Sequence, residues 1–173
     1  MNQKKPEAAQ PETSTNSQRQ DIRTHTPIII SGGGSVKILF EPSDYPPNSS
    51  NPAEKTHTHR NSSVARVDII DDINGTKFPC PEIPHNGRCT VTIHCQRNGR
   101  PESNITVSGA TDLKLSFEHG EYRPAAQAGV GSHFARERQI TEIEIKDDNP
   151  GGRRQTFPAP SGGVCTIKIF DRH

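Results

Sequence analysis

Apolar and polar residues alternate along most of the chain after Pro27. Ile28 and Ile30 share one side of an extended segment, then Val36, Ile38 and Phe40, then Val67 and Ile69, then Cys89, Val91 and Ile93, while Lys37, Glu41, Asp68, Thr90 and Thr92 fall on the opposite side. A two-residue period with one polar face is the mark of a strand buried on one side. The second half fills the same slots with Ile105, Val107, Leu113, Leu115, Phe117, Ile143, Ile145, Cys165, Ile167 and Ile169. No stretch shows the 3.6-residue spacing of an amphipathic helix, and Gly or Pro punctuates the connections. The pattern therefore predicts an all-β protein whose antiparallel sheets pack face to face.

The two halves match in detail. Laying 28–45 on 105–122, 57–72 on 133–148 and 87–95 on 163–171 gives 16 identities in 43 positions, where composition alone would give about three. We read two duplicated four-stranded units, 27–95 and 104–171, joined by a linker, Gln96 to Ser103. Ten inward side chains per unit make a thin core for a unit standing alone. The expectation is one antiparallel β-sandwich, or flattened barrel, of about eight strands over 27–173; two tandem mini-domains are the alternative. Residues 1–26 contain only Met1 and Ile22 as sizeable apolar side chains and are expected to form a disordered tail.

One segment invites a different reading. Gly32-Gly33-Gly34 follows a strand, as a phosphate-binding loop does. Such a loop must run into a helix whose N-terminus faces the phosphates, and here the chain runs into another strand. A hairpin turn is the expectation, and Gly109 to Asp112 supplies its counterpart.

Composition narrows the partners. The net charge of +1 gives no long-range field for a polyanion, and the aromatic residues needed to stack bases are few, so nucleic acid is not an expected partner. No run of 18 apolar residues exists and no apolar segment follows Lys4 and Lys5, so neither a membrane nor a secretory signal is expected, and a cytoplasmic location follows as the expectation. The four cysteines then read as buried hydrophobes, with Cys89 and Cys165 at matching inward positions.

Candidate chemistry is sparse. Asp71 and Asp72 end one strand, and Asp147 and Asp148 end its counterpart. Hard oxygen ligands there would take calcium, and a calcium- or carbohydrate-dependent binding protein is the alternative reading; the preferred one is that both pairs shape turns, with no cofactor. His57 and His59 lie in an H-x-H that could take zinc or copper with a third ligand, but only His57 has a counterpart, His133, so the matched pair is assigned a structural role. Arg60 and Arg136 repeat beside them, and Tyr45 and Tyr122 repeat in Pro-bearing segments suited to contact a partner. With no activated nucleophile or cofactor fingerprint, the first expectation is a non-enzymatic module binding a protein or other macromolecule through its loops, with Tyr45, Tyr122, His57, His133, Arg60 and Arg136 as binding residues. A hydrolase with a site between the two units ranks below it.

Overall fold

The computed structural model describes residues 28–40, 54–109, 112–118 and 131–172. The expected tail and the segments carrying Tyr45 and Tyr122 lie outside these residues. The described chain forms eleven strands: β1 (Ile28–Gly32), β2 (Ser35–Phe40), β3 (Glu54–His59), β4 (Ser63–Asp71), β5 (Cys89–Arg97), β6 (Arg100–Gly109), β7 (Leu113–Glu118), β8 (Gly131–Arg136), β9 (Arg138–Asp147), β10 (Arg154–Pro158) and β11 (Cys165–Arg172). A short 3-10 turn, Pro160–Gly163, precedes the last strand. None of the described residues forms a helix long and apolar enough to cross a membrane.

The strands build two antiparallel sheets, ordered β4-β11-β1-β2-β8 and β10-β9-β5-β6-β7-β3. Both sheets have edges, so the flattened-barrel alternative is not what forms. The inward residues make one core that takes Ile28, Ile38 and Ile169 from the first sheet and Val91, Ile105 and Ile143 from the second. These are the alternating positions of the sequence, and their burial is what the hydrophobic effect rewards. The Gly32-Gly33-Gly34 segment turns β1 into β2, which pair with Ile30 opposite Ile38.

The sequence pattern undercounts the strands. β3 ("EKTHTH"), β8 ("GSHFAR") and β10 ("RQTFP") carry His, Thr or Phe where aliphatic alternation would reveal a strand. All three lie at sheet edges, where one neighbour satisfies half of the backbone groups and little apolar surface is needed. The segment joining the two halves is itself a hairpin. Gln96 to Ser103 belongs to a hairpin in which Arg97 pairs with Arg100, and Asn98 (φ 50°) and Gly99 (φ 74°) supply the two left-handed residues of a tight two-residue turn.

Both sheets draw strands from both halves of the chain. Replacing β4, β11, β1, β2 and β8 by the strands about 76 residues away in sequence gives β9, β5, β6, β7 and β3, which is the order of the second sheet without β10. The place of β10 is taken in the first sheet by a single bridge between Ile70 and Lys77. The correspondence reaches single atoms. A Cβ on Gly32 would come within 2.6 Å of the Gly163 carbonyl oxygen, and one on Gly109 within 2.7 Å of that of Gly87, so each half requires the same glycine for the same close approach.

Candidate functional site

Two strands that sequence patterning does not reveal bring the predicted histidines together. His57 on β3 pairs with Leu115, and His133 on β8 pairs with Ile38, so the two imidazoles enter the sandwich from edge strands of opposite sheets. There they meet Phe40 and Phe117. Phe40 lies 4.7 Å from His57 and 5.3 Å from His133 between ring centroids, and Phe117 lies 4.5 Å from His133 and 5.7 Å from His57. The two imidazoles are themselves 5.5 Å apart, edge to face. Burial holds His133 in its neutral form, its pKa lowered from 6.5 to about 4, with the neighbouring His57 and Lys55 adding to the effect.

This cluster marks one end of the sandwich. Glu54 pairs with Glu118, and Phe40 with Gly131. The described residues that flank 41–53 and 119–130 are therefore paired with one another.

The acidic pairs are held in matching ways. Asp71 Oδ1 accepts the Ile73 amide at 2.9 Å and its Oδ2 accepts the Ser161 hydroxyl at 2.6 Å. The Ser161 bond is the main cause holding the Asp71 carboxyl below the ordinary carboxylate range, and the turn amides add to it. Asp147 Oδ1 accepts the Asn149 amide at 2.9 Å in the same turn position. Asp72 Oδ2 accepts the Thr166 hydroxyl at 2.7 Å, and Asp148 Oδ2 accepts that of Thr90 at 2.5 Å. Each pair ties a turn to the strand beside it, β11 or β5.

The remaining predicted residues are dispersed. Arg60 and Arg136 are exposed, at the equivalent β3–β4 and β8–β9 turns. His59 faces Asp171, with Nδ1 3.2 Å from Oδ2. Cys89 and Cys165 are fully buried, and desolvation followed by the nearby aspartates pushes each thiol up to about 12. A neutral buried thiol packs as a small apolar group and is a poor nucleophile.

One constellation escaped the sequence reading. His94 on β5 pairs with Glu142 on β9, and Thr92 with Glu144. His94 Nε2 is 3.8 Å from a carboxylate oxygen of each glutamate. Among the described residues these three form the one group of potential metal-ligand atoms that lie within 4.8 Å of one another. Outward alternation in "TVTIHC" and "TEIEIK" placed all three on solvent-facing sides, but only the β5·β9 register shows that they share one spot.

Compared with known protein families, curated proteins and solved structures, the chain finds no match.

Proposed function

We propose that this protein is a non-enzymatic binding module, built from a duplicated unit, that grips a protein partner with segments 41–53 and 119–130. The observation that carries this reading is that the described residues flanking the two segments pair with one another, Phe40 with Gly131 and Glu54 with Glu118. Each segment bears a tyrosine, Tyr45 or Tyr122, and tyrosines supply large contact area at a small cost in side-chain ordering. Sequence matches, the common strand order and repeated glycine contacts support the duplication. Two related tyrosine-bearing segments suit one extended partner or two similar ones.

Neutral, buried Cys89 and Cys165 count against a hydrolase that uses them. The donors already bonded to Asp71, Asp72, Asp147 and Asp148 favour turn formation over calcium binding. A cytoplasmic protein is the partner class this reading implies.

The test is crosslinking capture with the full chain, followed by direct titration of the captured protein against wild type and Tyr45→Ala/Tyr122→Ala. The reading expects the double variant to melt as wild type does and to lose at least about tenfold in affinity, the equivalent of 1.4 kcal/mol. Undiminished binding by the double variant rules out these segments as the grip.

A further inference from the structure

We infer that His94, Glu142 and Glu144 form a divalent-cation site of the zinc class on the outer face of the six-stranded sheet. Opposite the step from His94 to Cys95 on β5, β9 carries one extra residue, Thr141, and opposite the step from Phe170 to Asp171 on β11, β4 carries one, Ala65. A bulge twists the strand locally and re-aims its side chain. The two bulges occupy equivalent places in the two sheets, so what each side chain meets can be compared directly.

In the five-stranded sheet, Phe170 is covered by a cation. The guanidinium carbon of Arg66 lies 4.0 Å from the ring centroid, Arg66 Nε is 3.1 Å from Asp68 Oδ1, and Lys77 reaches the other oxygen of Asp68 at 3.4 Å. In the six-stranded sheet, His94 replaces Phe170, Glu142 replaces Arg66, Glu144 replaces Asp68, and Arg154 replaces Lys77, with its Nη1 3.3 Å from Glu144 Oε2, the same oxygen that faces His94, so an ion there displaces that pair. Every partner has its counterpart except the covering cation. Where a guanidinium sits in one sheet, the other presents an imidazole and two carboxylates.

The ligand atoms suit an ion. His94 Nε2 is occluded from solvent and makes no hydrogen bond; at 3.8 Å from each glutamate oxygen it is beyond hydrogen-bond reach of both. Zinc bonds of about 2.0–2.2 Å set neighbouring ligand atoms roughly 3.0–3.6 Å apart, so a small rotation of the two glutamates closes the set. One imidazole with two carboxylates matches a borderline divalent ion better than calcium, which takes only oxygen, or copper(I), which prefers sulfur. The depression beside His94, lined also by Gln96, Asn104 and Thr141, gives access to the position that three protein ligands leave to water.

The experiment is calorimetric titration of the chelator-treated full chain with zinc at neutral pH, repeated with His94→Ala, Glu142→Gln and Cys80→Ser, and with cobalt(II) as a spectroscopic probe. The expected result is one zinc per chain, affinity weakened at least about tenfold by His94→Ala and by Glu142→Gln, no change with Cys80→Ser, and a cobalt spectrum without thiolate charge transfer. Unchanged melting of the metal-free variants separates ligand loss from unfolding. Absence of zinc uptake by wild type, or uptake that His94→Ala leaves intact, overturns the site.

Discussion

His57 and His133 meet edge to face with their ring centroids 5.5 Å apart, although they stand on edge strands of different sheets. The contact is made inside the sandwich, in a layer shared with Phe40 and Phe117, and it couples the stability of that end to proton concentration. His133 has its pKa lowered from 6.5 to about 4, by burial first and then by the neighbouring His57 and Lys55.

Acid should therefore loosen the sandwich before its carboxylates titrate. A depressed histidine contributes stability that is fully present above its unfolded value of 6.5, declines as pH falls toward about 4, and is gone below that. The shift corresponds to at most about 3 kcal/mol. Urea unfolding followed between neutral pH and pH ~4 should show a falling midpoint, and His133→Phe, which keeps a ring but cannot take a proton, should flatten that slope. An identical slope in the variant would assign the acid sensitivity to other groups.

How far the sequence revealed this arrangement depends on which force shapes each part. Long aliphatic alternation, as in Val36, Ile38 and Phe40 or Val91 and Ile93, marks strands buried by the sheet opposite, and those elements were legible. β3 and β8 were not, because their inward positions hold His57 and His133, and an imidazole in a ring cluster leaves no aliphatic signal. The pairing of His57 with His133 was visible as a repeated residue, but its meaning as a contact needed the strand order. His94, Glu142 and Glu144 were illegible for a related reason: a cross-strand register and a bulge bring them together, and neither is written in local composition. Asn98-Gly99 is the reverse case, since the dipeptide itself signals the two-residue hairpin turn that joins the halves.

Thiol chemistry should be confined to one residue. Cys80 is exposed, whereas Cys89, Cys95 and Cys165 are buried, and Cys89 and Cys165 are held neutral with pKa values pushed up to about 12. Iodoacetamide under native conditions should label Cys80 alone, with all four reacting in denaturant; mass spectrometry of the labelled peptides decides it. Cys89→Ser should cost roughly 1–3 kcal/mol, because its hydroxyl enters an apolar layer beside Val91 and Ile145. Rapid native labelling of Cys89 would mean that the strand opens far more readily than its burial implies.

The last prediction follows from which strands pair. β5 lies between β6 and β9, both from the second half of the chain. β11 lies between β1 and β4, both from the first. β3 lies against β7 and β8 against β2, so among the described residues of 28–97 the one ladder between two strands is that of β1 and β2. A fragment of residues 27–97 therefore keeps a single short hairpin and exposes the inward faces of β4 and β5, and an isolated hairpin is marginal in water at best. Such a fragment has two outcomes consistent with the fold. It is unfolded, or it pairs with a second copy that supplies β5 in the place of β11 and β3 in the place of β8, because those strands hold matching inward residues in matching order. Sedimentation and circular dichroism distinguish the two, and the dimer should dissociate and unfold in one concentration-dependent transition. In the full chain the same interleaving makes both sheets depend on both halves, so Phe40→Ala and Phe117→Ala should each lower one common melting transition by several degrees, through a cavity costing roughly 3–5 kcal/mol. A folded, monomeric 27–97 fragment, or separate transitions lowered by the two variants, would be incompatible with sheets built from exchanged strands.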